Sequence, residues 1–356
     1  MSQMKGFACR HSEKPSEELA WRTPVSHEFT VRDFRFHTGE ILPELRLAYT
    51  VLGRPNGKPV LALHGTGANG KSLLAKEFGG QLFASGGPLD AAEHFIILPD
   101  AIGHGRSAKP SDGLRAAFPS YNYEDMIEGQ HRVVREALGI RHLRLVLGMS
   151  MGGMHTWMWG IRHPEFMDAL VPLASLPAPM SGRNWLLRLL LMDQIRNDPQ
   201  WDQGNYLAQP PAARRAWEFF SAATTGGTLA LQEAISNPSQ ADEWLAAKRA
   251  LPFDVDANDL LYQFAASRDY DPSGALECIR AHVLAINSSD DERNPPETGL
   301  AQQAIDRLAH GQQLILPGSA QTSGHGTVRC ADLWAPACRD FLESIPQWTG
   351  PWERQD

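Results

Sequence analysis

The chain has 356 residues, enough for one large domain with a buried core, and its hydrophobic (42%) and charged (21%) contents are ordinary for a globular protein. A formal net charge of −8 argues against a nucleic-acid partner, whose binding would need a basic face. No run approaches the roughly 18 apolar residues of a membrane span. Residues 1–26 lack the apolar core of a secretory signal, so we expect a cytoplasmic protein without a membrane partner.

The four cysteines do not form a metal-binding pattern. Cys9, Cys278, Cys330 and Cys338 have neither C-x-x-C spacing nor neighbouring histidines suited to zinc. In a cytoplasmic protein we therefore expect four reduced thiols, with no bound metal and no cofactor.

Strand and helix patterns alternate along the first half of the chain. Residues 27–36 and 43–52 alternate apolar and polar side chains, as half-buried strands do. Apolar runs predict further strands at 58–63, 95–98, 143–147 and 169–174. Between them, helices are predicted from about Lys71, over 123–138 and over 151–162. This order predicts a mostly parallel central sheet flanked by helices on both faces, an α/β fold.

The alternation stops between residues 176 and 276, where the pattern is helical. It resumes with strands at 282–287 and 312–316 and helices at 300–308 and 331–342. We interpret 176–276 as a helical lid insertion between two parts of one α/β domain, 1–175 and 277–356. An apolar stretch of this lid, residues 185–192, is interrupted by Arg188. Most of the lid tryptophans are expected in its core: Trp185, Trp201, Trp217 and Trp244.

A G-x-S-x-G sequence, residues 148–152, joins a predicted strand directly to a predicted helix. A sharp turn of this kind crowds its neighbours, so glycines at 148 and 152 let the backbone hold Ser150 clear of the sheet edge. The serine then lies at a helix N-terminus, where free N–H groups favour developing negative charge. We interpret the turn as a nucleophile elbow. The alternative, a glycine-rich loop that merely contains a serine, is disfavoured by the strand before it and the helix after it.

A serine hydroxyl is a weak nucleophile and needs a base, which a third group orients. His325 follows the last predicted strand, between two glycines, and is the candidate base. Asp290 and Asp291 end the strand at 282–287, and we prefer Asp291 because Pro295 follows it by four residues. The backbone N–H groups of Met151 and Thr66 are the predicted oxyanion donors.

Residues 65–72, GTGANGKS, also match the G-x-x-x-x-G-K-S pattern of a phosphate-binding P-loop. A P-loop NTPase is the less favoured interpretation, because it leaves Ser150, Asp291 and His325 unexplained. It also places the phosphate loop after two earlier strands. Nucleotide dependence of any activity would separate the two interpretations.

With the serine, acid and histidine in this chain order, the sequence resembles the α/β-hydrolase superfamily. Within it, the chain resembles the homoserine O-acetyltransferase-like branch. The residues that carry the resemblance are GGPLD at 86–90, Phe118-Pro119 with YEDM at 123–126, and GMSMGGM at 148–154. The resemblance implies the α/β-hydrolase fold from about Phe29 to Phe341, and a homodimer.

The chain departs from homoserine acetyltransferases in two places. Those enzymes have a longer loop containing glycine and cysteine after the fourth strand, where this chain has DAIGHGRS at 100–107. They also carry Asp directly after the catalytic histidine, where this chain has Gly326. We therefore expect a serine esterase that acts on small ester or acyl substrates through an acyl-enzyme. The alternatives are O-acyl transfer from acyl-CoA to an alcohol, and a catalytically silent binding protein.

Overall fold

The computed structural model describes residues 23–352, so Cys9 lies outside the described residues. An eight-stranded sheet forms the centre of the fold, in the order β1-β2-β4-β3-β5-β6-β7-β8. The strands are β1 (Val25–Arg35), β2 (Ile41–Gly53), β3 (Lys58–Leu63), β4 (His94–Pro99), β5 (Leu143–Met149), β6 (Met167–Leu173), β7 (His282–Ser288) and β8 (Gly311–Leu316).

Only β1 and β2 run antiparallel to their neighbours, and the other six strands are parallel. The predicted mostly parallel sheet is therefore confirmed. Helices cover both faces, so the central strands are continuous apolar runs. In β5, Val146 points to one core, whereas Leu145 and Leu147 point to the other, as the period of a strand requires.

The helices are α1 (Gly79–Leu82), α2 (Tyr123–Arg132), α3 (Met151–Arg162), α4 (Gly182–Arg196), α5 (Pro211–Thr224), α6 (Thr228–Ala234), α7 (Pro238–Ala250), α8 (Ala257–Ala265), α9 (Leu300–Ile305) and α10 (Ala335–Ser344). Side chains of α2 and α3 pack on one face of the sheet, and those of α1 and α10 pack on the other. The bounds of α3 agree with the predicted helix, whose first ten residues are all buried.

Two predicted helices differ from the structure. The helix expected from Lys71 is a 3-10 turn, Gly70–Leu74, followed by the short α1, because the pair Gly79-Gly80 disfavours a longer helix. The helix expected over 123–138 is α2 followed by a π-helical turn, Val133–Ala137. A capping box fixes the start of α2, where Asn122 and Asp125 exchange side-chain-to-backbone hydrogen bonds.

Helices α4 to α8 all lie between β6 and β7, and α4, α5 and α8 share a core of their own. This core includes Leu191 of α4, Phe220 of α5 and Phe264 of α8. Three of the four tryptophans, Trp185, Trp201 and Trp217, pack against it. The lid boundaries at 176 and 276 stay a prediction.

The expectation of four reduced thiols is wrong at Cys330, which is disulfide-bonded. Cys278 and Cys338 are free. Spacing along a chain does not report which segments meet in space, so the pattern of cysteines could not indicate this bond. Among residues 23–352, no helix is long and apolar enough to cross a bilayer, and no His, Cys, Asp or Glu cluster is arranged for a metal.

Candidate active site

The turn between β5 and α3 holds Ser150 at φ 55° and ψ −114°, a conformation that non-glycine residues rarely adopt. The Ser150 N–H donates to the Leu173 carbonyl at 2.9 Å, which ties the turn to β6. A Cβ on Gly148 would lie 2.3 Å from the Gly152 carbonyl oxygen. One on Gly152 would lie 2.2 Å from the Leu63 carbonyl oxygen. Only glycine fits at either position, as the sequence predicted.

Three candidate side chains are joined by hydrogen bonds beneath the lid. His325 Nε2 lies 2.9 Å from Ser150 Oγ, and His325 Nδ1 lies 3.0 Å from each carboxylate oxygen of Asp291. A carboxylate can only accept, so Nδ1 carries the imidazole proton and Nε2 is left to accept from the Ser150 hydroxyl. All three residues are buried, Ser150 being 8% exposed.

The Asp291 carboxylate is held by backbone and side-chain donors of two nearby residues, Arg293 and Asn294. The N–H groups of Arg293 and Asn294 donate to Oδ1 at 2.8 and 3.1 Å. The Asn294 amide also donates to Oδ2 at 3.2 Å and to the Ala174 carbonyl at 2.9 Å. Burial alone would raise the pKa of Asp291, but His325 and these donors hold that pKa below its ordinary value.

The neighbouring acid, Asp290, has a different set of partners. It accepts from the hydroxyls of Ser288 and Thr322, the second at 2.6 Å, and from the Gly324 N–H at 3.3 Å. These bonds fasten the loop that carries His325, but they do not reach the imidazole. The structure therefore brings Asp291, and not Asp290, to the histidine.

Burial lowers the pKa of His325, and the Asp291 carboxylate opposes this effect. The charges of Arg293 and Arg188 lower that pKa further. The net shift is downward, so the imidazole is neutral at pH 7. Neutral imidazole is the form that can take a proton from a hydroxyl.

The two predicted oxyanion donors flank the serine. Met151 is the first residue of α3, and Thr66 lies in the loop after β3. A Cβ built on Gly65 would lie 3.6 Å from Ser150 Cβ, so this loop lies against the serine. Within residues 23–352, neither the Met151 N–H nor the Thr66 N–H donates to another protein group. Both are therefore available to an acceptor in the site.

The P-loop-like segment has different hydrogen bonding from a phosphate cradle. The Gly70 N–H donates to Asp100 at 2.7 Å, and the Ser72 N–H donates to Asn69. Lys71 is exposed to solvent. These two N–H groups are thus committed to protein acceptors and are not free to bind a phosphate, which speaks against the NTPase interpretation.

Lid residues form the roof of the site and are bonded to the acid loop. The Trp217 ring packs on Gly67, where an added Cβ would lie 3.0 Å from the indole. The Arg293 guanidinium lies 4.5 Å from the centre of the Phe220 ring and donates to Thr225 Oγ1 at 2.7 Å. Glu292 accepts from the Gly227 N–H at 2.9 Å.

A separate cleft of about 230 Å³ lies between the start of α2, the end of α3 and the segment after α8. Its lining includes Tyr123, Arg162 and Tyr270. None of the three candidate catalytic residues lines it. This cleft is therefore not where the serine would meet a substrate.

Sequence reasoning missed Asn294, Glu292 and the place of Arg188 in the site. Asn294 and Glu292 carry no recognisable motif, because their roles come from contacts with distant segments. Arg188 did leave a trace, a single charge within the apolar stretch 185–192. Its side chain is fully buried.

Comparison with known proteins gives relatives of two named activities. A probable acyltransferase from Methanothermobacter thermautotrophicus is 28% identical over 77% of this chain and 85% of its own. A homoserine O-acetyltransferase from Trichormus variabilis is 29% identical over 74% of this chain and 79% of its own. The resemblance to the homoserine O-acetyltransferase-like branch is thereby confirmed.

Two solved structures share the fold at lower identity. Homoserine O-acetyltransferase from Bacillus anthracis superposes with a TM-score of 0.79, at 19% identity, over 92% of this chain and 99% of its own. An acetylester hydrolase from Corynebacterium glutamicum superposes with a TM-score of 0.72, at 18% identity, over 90% and 96%. Residues 58–303 match the family model described as the alpha/beta hydrolase fold. The chain therefore belongs to the α/β hydrolase fold family.

Proposed function

We propose that the protein is a serine-dependent carboxylic ester hydrolase that works through an acyl-enzyme. The observation that supports this most strongly is the hydrogen-bonded series Ser150–His325–Asp291, with 2.9 Å between His325 Nε2 and Ser150 Oγ. This series supplies a nucleophile, a base within reach of its proton and a carboxylate that orients the base.

In the first half-reaction, Ser150 Oγ attacks the ester carbonyl carbon while His325 Nε2 takes the hydroxyl proton. The bond between the carbonyl carbon and the leaving oxygen then breaks, and His325 gives the proton to the departing alcohol. A water molecule repeats the sequence on the acyl-enzyme, which releases the acid and restores Ser150. Asp291 keeps the imidazole in one tautomer and stabilises its charged form.

The carbonyl oxygen becomes negative in each tetrahedral intermediate. We assign its stabilisation to the N–H groups of Met151 and Thr66. Loss of one such donor costs on the order of a hundredfold or more in rate. His64 belongs to this machinery as a positioning residue, since it bonds to the backbone of the Thr66 loop.

Acyl transfer to an alcohol is the second candidate, favoured by the relatives named as acyltransferases. Both reactions share the acyl-enzyme and differ only in whether water or an alcohol attacks it. Gly326 directly follows His325 in the chain, so this position supplies no carboxylate for the ammonium group of an amino-acid acceptor. Hydrolysis is therefore our first choice.

The test compares wild type with Ser150→Ala on short aryl esters, and then on acetyl-CoA with and without added alcohols. We expect rapid ester hydrolysis that falls by about 10⁶-fold in kcat in the variant. Turnover of acetyl-CoA that depends on the added alcohol would instead establish the transferase. The small-molecule substrate, the homodimer and the cytoplasmic location stay predictions.

A further inference from the structure

Arg188 is a buried cation that has no carboxylate partner. It lies on α4 and its side chain is 0% exposed. Nε donates to Asn184 Oδ1 at 3.0 Å, and Nη1 donates to Ser267 Oγ at 3.3 Å. The guanidinium carbon lies 5.0 Å from the centre of the Phe264 ring. Among residues 23–352, Nη2 has no hydrogen-bond partner and no carboxylate pairs with the side chain.

Such an arrangement is unfavourable for folding alone. Arginine is almost never fully buried unless it is paired, because a charge removed from water needs a counter-charge or enough acceptors. The two neutral acceptors and one ring satisfy only part of the guanidinium, which carries five N–H donors. A cation held in this state is poised for an anion that the protein itself does not supply.

The place of Arg188 connects it to the serine. The buried Tyr123 hydroxyl lies close enough to Arg188, Ser267 and Thr66 for these groups to influence its pKa, although it forms no hydrogen bond of ordinary geometry. Thr66 follows Gly65, the residue that lies against Ser150. The charge of Arg188 also lowers the pKa of His325, which places its guanidinium in the neighbourhood of the serine and the proposed oxyanion donors.

A second guanidinium adds to the positive charge of this space. Arg293 Nε is buried without a partner, and burial together with the charge of Arg188 lowers the pKa of Arg293 to about 9. The Phe220 and Phe264 rings, 4.9 Å apart, lie under the two guanidinium groups. Two acids act on Arg293, but Asp291 is already bonded to His325 and Glu292 accepts from the Gly227 N–H. The roof of the site thus holds two aromatic rings and two guanidinium groups, and the carboxylates beside them already have protein partners.

We propose that Arg188 binds a carboxylate of the substrate, so that the preferred esters carry a carboxylate a few bonds from the scissile carbonyl. The guanidinium fork matches a carboxylate in two parallel hydrogen bonds. The phosphates of coenzyme A lie at the end of a long pantetheine arm, far from its thioester, so a carboxylate near the scissile carbonyl fits a guanidinium in the neighbourhood of His325 better. This inference rests on the proposed ester chemistry.

The experiment uses two pairs of esters that differ only in a methyl group or a carboxylate. In the acyl part, methyl butanoate is compared with monomethyl succinate. In the alcohol part, ethyl acetate is compared with acetoxyacetate. The rate of acid release gives kcat/KM for each ester, and the ratio within each pair reports recognition of the carboxylate.

Wild type is expected to favour the anionic member of at least one pair. Arg188→Met should lower that ratio about 30-fold or more, because truncation of one partner of a buried charge pair removes its attraction. Arg188→Lys keeps the charge without the fork and should fall between the two. Arg183→Met, an exposed arginine on the same helix, is the control and should keep the wild-type ratio.

A wild-type preference for the neutral esters of both pairs would overturn the proposal. So would folded Arg188→Lys and Arg188→Met proteins that lose activity equally on both members of a pair, since that loss marks a structural role.

If wild type turns over no ester at all, the proposed function fails. The carboxylate site is then tested separately, by calorimetric binding of monomethyl succinate, methyl butanoate and inorganic phosphate to Ser150→Ala with and without Arg188→Met. Binding of the succinate ester that depends on Arg188 supports the site, whereas binding of phosphate alone overturns it.

Discussion

The imidazole of His64 bridges the loops that follow β3 and β4. Its Nε2 accepts from the Ala101 N–H at 3.1 Å, and its Nδ1 donates to the Gly65 carbonyl at 2.9 Å. Burial lowers the pKa of His64, so it stays neutral and can make both bonds at once. Because Gly65 lies against Ser150, these bonds set where the Thr66 N–H stands relative to the nucleophile.

Replacement of His64 by Phe keeps a flat aromatic ring and removes both bonds. We expect kcat on a short ester to fall about 10- to 100-fold, because small misplacements of a catalytic group are costly. His94→Phe is the matched control, a buried histidine at the opposite end of β4 that bonds to the Asp90 backbone. It should leave kcat per folded molecule unchanged, and equal losses in the two variants would contradict this role of His64.

Asp290 and Asp291 are adjacent, so replacing each by Asn compares the two acids at nearly the same place in the chain. Asp291→Asn should lower kcat by about 10³- to 10⁴-fold, since the amide can leave the imidazole in the wrong tautomer. Asp290→Asn should cost less than tenfold, because its partners are the hydroxyls of Ser288 and Thr322 and a backbone N–H. Steady-state kinetics of both variants, with circular dichroism to verify folding, measures the difference. The reverse order of losses would reassign the acid.

The pH dependence of kcat/KM should report the lowered pKa of His325. Burial lowers this pKa, Asp291 raises it, and Arg293 and Arg188 lower it. The net effect is a pKa below 6.5. Activity that needs the neutral imidazole is then lost only as pH falls through a value below 6.5. The acid limb of the pH profile, where activity falls with pH, therefore lies below pH 6.5.

Arg188→Met removes a positive charge that disfavours the imidazolium, so the acid limb should move to higher pH. The exposed Arg183→Met should leave the limb in place. Profiles over pH 4 to 8 on a neutral ester measure both variants. A limb that moves down in Arg188→Met, or that moves equally in both, would contradict this electrostatic account.

We expect a large difference in stability between Gly152→Ala, in the elbow, and Gly274→Ala, outside it. An added Cβ at Gly152 meets the Leu63 carbonyl oxygen at 2.2 Å, whereas one at Gly274 meets nothing within 4 Å. Gly152→Ala should lower the free energy of unfolding by about 4 kcal/mol, and Gly274→Ala should change it by less than about 0.5 kcal/mol. Urea denaturation checks both, and similar values would show that the turn relaxes around a side chain.

Local patterns were sufficient to predict the strands and the turn at Ser150. The apolar run 58–63 gives β3 with the same bounds, and 151–162 gives α3, because the periods of strand and helix are set by neighbouring residues. The meeting of Ser150, Asp291 and His325 could be predicted once the parallel sheet was inferred, because each follows a strand. In a parallel sheet the carboxyl ends of the strands meet at one edge.

Contacts between distant segments could not be read in this way. Asn294 matters because its amide reaches Ala174 at the end of β6, and no pattern within 290–295 encodes that partner. Arg188 was visible only as a break in an apolar stretch, and its burial depends on how α4 and α8 pack. Asp291 rather than Asp290 lies against His325 because of the backbone geometry at the end of β7, which adjacent identical residues cannot reveal.

The central claim is that Ser150 is a nucleophile activated by His325. A fluorophosphonate probe reacts covalently with such a serine, and mass spectrometry of the digested protein locates the adduct. We expect one equivalent of probe on the peptide that contains Ser150 in wild type, no labelling in Ser150→Ala, and strongly slowed labelling in His325→Ala. Absence of labelling in folded wild type, or labelling that persists in Ser150→Ala, would contradict the account.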